Sequence, residues 1–160
     1  MTISRYFKTA VLGDGTPVPA PLVASVTRFV RFNEVDPLNV VWHGHYASYF
    51  EDARVAFGER YGLGYQAMYD PGFVTPVKQL QIDYEAPLRF NQECVITGSL
   101  FWSEAARLNF EYTVTDGEGR LTTRGYTVQL FLTLAGELVY ARPDFYEAFR
   151  ARWKNGLTGI

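Results

Sequence analysis

The chain has 160 residues, 48% of them hydrophobic and 20% charged, with a formal net charge of −2. That length fits one domain with a sizeable core, and the near-neutral balance gives no general argument for binding nucleic acid or an anionic membrane. The lone Cys94 excludes an internal disulfide and a cysteine-based metal site, and no stretch is long and apolar enough to span a bilayer.

The opening MTISRYFKTAVLGDG lacks the apolar core of a signal peptide, so the cytoplasm is the expected location. Residues 1–22 read as an arm or short hairpin, free to wrap a neighbouring subunit, ahead of a domain at 23–160. Gly13-Asp14-Gly15 signals a turn there, and Pro17, Pro19 and Pro21 forbid regular structure. From Val23 to Phe32 the β-branched, aromatic and Arg residues predict a strand. Tyr46, Tyr49, Phe50, Ala53, Phe57 and Tyr61 then recur at three- and four-residue intervals, which predicts a helix with one bulky apolar stripe.

Gly62, Gly64, Pro71 and Gly72 mark a loop. Thr75 to Tyr84 reads as a second strand with Lys78, Leu80, Ile82 and Tyr84 on one face, and Cys94 to Ser103 as a third. Ala106 to Thr115 alternates cleanly and meets a hairpin turn at Asp116-Gly117-Glu118-Gly119. Leu121 to Leu134 repeats the alternation, with Tyr126, Val128, Leu130, Leu132 and Leu134 on one side. A short strand follows at Leu138 to Ala141, and Phe145, Phe149 and Trp153 predict a final amphipathic helix. One helix and long antiparallel strands make an α+β arrangement, an antiparallel sheet wrapped around a central helix. One sheet face is left to be covered by a subunit partner.

Four polar groups precede the central helix: Glu34, Asp36, His43 and His45. Pro37 holds Asp36 out of the helical region, so a strand can end there with its carboxylate presented. The free N–H groups and dipole of the helix start favour negative charge beside it. Asp-Pro is also an ordinary turn initiator. Glu34 reads as a solvated edge residue, and Glu51 as an exposed partner of Arg54 three residues on. Two histidines spaced H-x-H with no third ligand are a weak metal signal, so no metal is expected.

The segment VDPLNVVWHGHYASYFEDAR resembles the signature of the 4-hydroxybenzoyl-CoA thioesterase branch of the hotdog-fold superfamily. Thr75-Pro76-Val77 and Tyr84-Glu85-Ala86-Pro87-Leu88 also sit where that branch has similar stretches, and the likeness runs from Ser25 to about Arg142. Asn39 stands at a turn position that usually holds Gly. The resemblance implies a hotdog fold and hydrolysis of an acyl-CoA thioester to acid and CoA. It assigns Asp36 as base or nucleophile and the backbone N–H of His43, next to Gly44, as oxyanion donor. Val41, Tyr46 and Thr75 are the implied substrate contacts. Other hotdog branches carry the working carboxylate on the helix, which keeps Glu51 as an alternative. The resemblance further implies a homodimer or homotetramer with a pocket lined by both subunits. No cofactor is implied beyond the CoA of the substrate, and its phosphates have candidate partners in Lys78, Arg89, Arg107 and Arg124. An acyl carrier protein as donor, and a hotdog module that binds or dehydrates an acyl group without hydrolysing it, remain the rival readings.

Overall fold

The structure, a computed structural model, describes residues 4–8 and 11–160; the remainder of the expected arm lies outside the described residues. Five strands form one antiparallel sheet: β1 (Leu22–Phe29), β3 (Val77–Tyr84), β4 (Glu93–Phe101), β5 (Arg107–Asp116) and β6 (Leu121–Leu130), in the order β1-β4-β5-β6-β3. A two-stranded pair joins β2 (Phe73–Val74) to β7 (Leu132–Thr133). The helices are α1 (Tyr46–Tyr61), α2 (Tyr65–Tyr69) and α3 (Asp144–Lys154).

The stripe read in α1 is the core. Tyr46, Tyr49, Phe50, Ala53, Phe57 and Tyr61 are all buried, and each large ring removed from water is worth about 1.5–3 kcal/mol. Phe50 stacks on Tyr112 of β5 with ring centres 4.3 Å apart, and Phe57 meets Phe110 edge-on at 5.0 Å. Gly62 ends the helix at φ 71°, a left-handed turn that glycine adopts without strain.

Rings this large need small partners on the sheet. The β6 residues on the level of Tyr112 and Phe110 are Gly125 and Thr127. A Cβ on Gly125 would stand 2.2 Å from the Gln81 carbonyl oxygen and 2.8 Å from the Phe50 ring. The bulky set of β6, Tyr126 and Val128, consequently faces away from α1. Tyr6 and Phe7 of the arm cover it, with ring centres 4.9 and 5.5 Å from Tyr126. The arm thus packs on its own sheet, where a neighbouring subunit was the expected cover. Its Gly13–Gly15 turn forms as expected, with the Gly15 N–H donating to Leu12 O at 2.8 Å.

Other boundaries differ from the sequence reading. β1 stops at Phe29, and Phe32–Glu34 is a 3-10 turn. The expected loop at 62–72 contains α2, and the expected strand 121–134 breaks at Phe131, a fully buried ring that seats α3 through Tyr146 at 5.0 Å. At 138–141 only a single bridge forms, between Leu138 and Leu132. α3 buries Tyr146, Phe149 and Trp153, while Phe145 is only half-buried. Cys94 is fully buried in β4, as read, and burial pushes its thiol up to about 11. No helix among the described residues is long and apolar enough to cross a membrane.

Candidate active site

Residues Glu34 to Trp42 form a small hairpin. Val35 and Val41 make an antiparallel bridge, the Asp36 N–H donates to Val40 O at 2.9 Å, and the Trp42 N–H donates to Glu34 O at 2.9 Å. Its tip is the turn Asp36-Pro37-Leu38-Asn39, closed by Asn39 N–H to Asp36 O at 2.9 Å. Asn39 takes the left-handed conformation, φ 57°, which Asn tolerates better than other non-glycine residues. The turn therefore survives without glycine.

Asp36 is half-buried. Its Oδ1 accepts the Leu38 N–H at 2.8 Å, so the turn-initiating role is real. Oδ2 makes no hydrogen bond among the described residues. One oxygen fixes the turn and the other is unengaged.

The far strand of the hairpin runs straight into the helix. A 3-10 turn at His43–His45 continues as α1, after Trp42 in an extended conformation. The His45 N–H donates to Trp42 O at 2.9 Å, while the N–H groups of His43 and Gly44 have no partner among the described residues. Both lie ahead of a sixteen-residue helix, at the end where free N–H groups and the helix dipole favour negative charge. The His43 side chain is exposed, and its carbonyl accepts the Tyr84 hydroxyl at 3.0 Å. The Trp42 indole, 49% exposed, lies over Gly44: a Cβ there would come within 2.1 Å of the ring. Val41 and Tyr46 are buried immediately behind this start, and the Val41 N–H is tied to Leu88 O at 2.8 Å.

Thr75 is not with this group. It is buried beside Met68, toward which its hydroxyl points at 3.1 Å, and its carbonyl accepts from Gln129 Nε2 at 2.6 Å. That region adjoins a cavity of about 510 Å³ along the later turns of α1, lined by Arg54, Gly58, Tyr65, Met68, Phe110 and Gln129 among others. Neither Asp36 nor His43 lines it. At 1.5 Å of rise per residue, its Gly58 wall lies on the order of 20 Å along α1 from the helix start. Glu51 pairs with Arg54, as read, and also accepts from the Tyr65 hydroxyl. Arg124 is paired with Glu85 at 3.0 Å.

Glu34 is the residue the sequence reading missed. It is buried, 8% exposed, not solvated. Oε2 accepts the Tyr49 hydroxyl and the Arg31 N–H, each at 2.8 Å, and Oε1 pairs with Arg28. Strand parity misled the reading, because the 3-10 turn at Phe32–Glu34 ends the alternation and points the carboxylate inward. The available signal was charge: Arg28 and Asp52, on elements that must pack together, are the other ends of the same cluster. Among the described residues no group of three His, Cys, Asp or Glu could hold a metal ion.

Residues 30–152 match the family model of the thioesterase-like superfamily. A Bacillus subtilis protein, YneP, provisionally assigned as an acyl-CoA thioesterase, is 31% identical over 67 residues, 42% of this chain. The match spans about half of that relative, 49% of its length. Among solved structures, a DHNA-CoA thioesterase from Staphylococcus aureus superposes with a TM-score of 0.73 at 23% identity, covering 81% of this chain and 90% of that one. A thioesterase from Thermus thermophilus, solved with coenzyme A and zinc, gives 0.65 at 25% identity, covering 79% and 97%. The sheet wrapped on one helix is thus the hotdog fold, and the chain belongs to the thioesterase-like superfamily.

Proposed function

We propose that this protein hydrolyses an acyl-CoA thioester to the free acid and CoA. The observation that carries the reading is the pairing on one short loop of the Asp36 carboxylate, with Oδ2 unengaged, and the unpaired N–H groups of His43 and Gly44 at the start of α1. Thioester hydrolysis needs both halves. A carboxylate activates water, or attacks the carbonyl itself, and fixed N–H donors stabilise the oxyanion of the tetrahedral intermediate. Collapse expels the thiolate, a weakly basic leaving group that needs no dedicated acid. Water adds across the C–S bond, its oxygen to the acyl carbon and a proton to sulfur.

Glu51 is the weaker candidate for the working carboxylate, because both of its oxygens are engaged by Arg54 and Tyr65. For the CoA phosphates we assign Arg89. It is exposed and follows Leu88, whose carbonyl holds Val41 at the base of the site. Arg89→Ala is expected to raise KM for a CoA thioester while leaving the N-acetylcysteamine thioester of the same acid unaffected.

The reading includes a homodimer at least. β3 pairs with β6 on one side and its other edge is open among the described residues, with Val77 to Gln81 all exposed. An open edge carrying apolar side chains is a template for a second strand. The deciding experiment is thiol release from acetyl-, hexanoyl-, palmitoyl- and benzoyl-CoA, with the same acyl groups on carrier protein in parallel. Turnover of any of them above the Asp36→Asn background supports hydrolysis. Tight binding of all of them without thiol release would make the chain an acyl-binding module instead.

A further inference from the structure

We propose that Glu34 is a positioning residue of this site, holding the Asp36 hairpin in register with the start of α1 through Tyr49 and Arg28. The inference rests on the roles assigned above to Asp36 and the His43 N–H. The hairpin's own bonds, from Asp36 N–H to Val40 O and from Trp42 N–H to Glu34 O, fix its shape. They do not fix where it stands against the helix. Glu34 sits at the junction of both hairpin strands, and its carboxylate is turned into the protein. There it accepts the hydroxyl of Tyr49, a fully buried residue one turn into α1 from Tyr46. It also pairs with Arg28 of β1, whose guanidinium lies 4.3 Å over the Tyr49 ring and pairs with Asp52 of the same helix. One carboxylate thereby joins β1, the hairpin base and α1.

A buried ion pair adds little to folding relative to apolar residues of the same volume; its best-attested use is to fix one arrangement of packed elements. Here the arrangement that matters is chemical. Asp36 and the His43 N–H must address one carbonyl from different sides, and a misplacement of about 1 Å costs on the order of 100-fold in rate. The Glu34–Tyr49 bond is the side-chain tie between the loop carrying the first and the helix carrying the second.

Tyr49→Phe is the sharpest test, since it removes one oxygen and keeps the ring under Arg28. With whichever of the four CoA thioesters the unaltered protein turns over fastest, kcat should fall about 10–100-fold and KM should change less than about 3-fold. Glu34→Gln should fall in the same direction. The double variant should be no worse than the poorer single, because both act through one bond. Hydrogen exchange of the bonded amides of Asp36, Asn39, Val41 and Trp42 should quicken at least about ten-fold in Tyr49→Phe while those of β5 are unchanged. A merely structural role would lower the folded fraction and leave kcat per folded molecule intact. Unchanged kcat and unchanged exchange in folded Tyr49→Phe would overturn the positioning role. Full activity in Asp36→Asn would instead overturn the reading of the site, and the exchange measurement would still decide the role of Glu34.

Discussion

The Tyr84 hydroxyl donates to the His43 carbonyl at 3.0 Å, which joins the open edge strand β3 to the start of α1. Whatever pairs with β3 is therefore mechanically continuous with the candidate site. Leu80, 46% exposed, lies on the same face of β3 as Tyr84.

The first prediction follows from that continuity. Light scattering should find a dimer or larger at working concentration. Leu80→Lys should shift it toward monomer, because a charge on an edge strand opposes pairing. Activity should fall along with the dimer fraction, since loss of the pairing frees the strand that carries Tyr84. A fully active monomer would remove the second subunit from the site.

A second prediction separates the carboxylates. Asp36→Asn keeps an Oδ1 acceptor for the Leu38 N–H, so the turn should survive and the loss can be read as chemistry. The expected fall in turnover is about 10²–10⁴-fold, the range of a lost general base. Glu51→Gln should cost much less, because it loosens the contacts to Arg54 and Tyr65 and touches nothing at the helix start. The opposite ranking in steady-state kinetics would move the site onto the helix.

The elements legible in the sequence are those in which one strong period met one continuous face. The α1 stripe at Tyr46, Tyr49, Phe50, Ala53, Phe57 and Tyr61 is buried at every position, and the alternation of β5 ends at the expected turn. The loop around Asp36 was legible from Pro37 and Asn39, whose backbone preferences are local. Three things were not. The alternation of β6 left open which side meets α1: aromatic volume there places Gly125 and Thr127 opposite Tyr112 and Phe110, and a sequence period does not reveal the size of what it faces. Glu34 was hidden because its partners, Arg28, Tyr49 and Asp52, converge only in three dimensions. The surroundings of Thr75 were hidden too, because its partners Met68 and Gln129 meet it only in the fold.

The third prediction concerns pH. Burial alone would raise the Glu34 carboxyl. The Arg31 N–H, the Tyr49 hydroxyl and the Arg28 guanidinium outweigh it and hold the group below its ordinary value of 4.5. The unfolded chain then binds the proton more readily than the native one, so this contribution to stability rises with pH. It is fully present above that ordinary, unfolded value and is lost as pH falls through the folded one. Urea midpoints measured from pH 7 down to 3 should therefore drop more steeply for the unaltered protein than for Glu34→Gln, with the gap closing at the acid end. Parallel curves would mean that Glu34 titrates alike in both states.

The last prediction tests the oxyanion donor, where side chain and backbone make opposite claims. The His43 imidazole is exposed, and the backbone N–H has no partner among the described residues. If only the N–H works, His43→Ala should stay within a few-fold of full activity. His43→Pro removes the N–H itself, and one lost oxyanion donor costs about 10²–10³-fold in kcat. The fold should accept proline here. It is favoured at a helix start, no backbone bond from His43 N–H is broken, and Trp42 before it already has the extended φ −62°, ψ 133° that a following proline demands. Circular dichroism and light scattering on His43→Pro must match the parent for its loss to count as chemistry. If His43→Ala proves as inactive as Asp36→Asn while remaining folded, the imidazole takes part in proton transfer, and the backbone assignment falls.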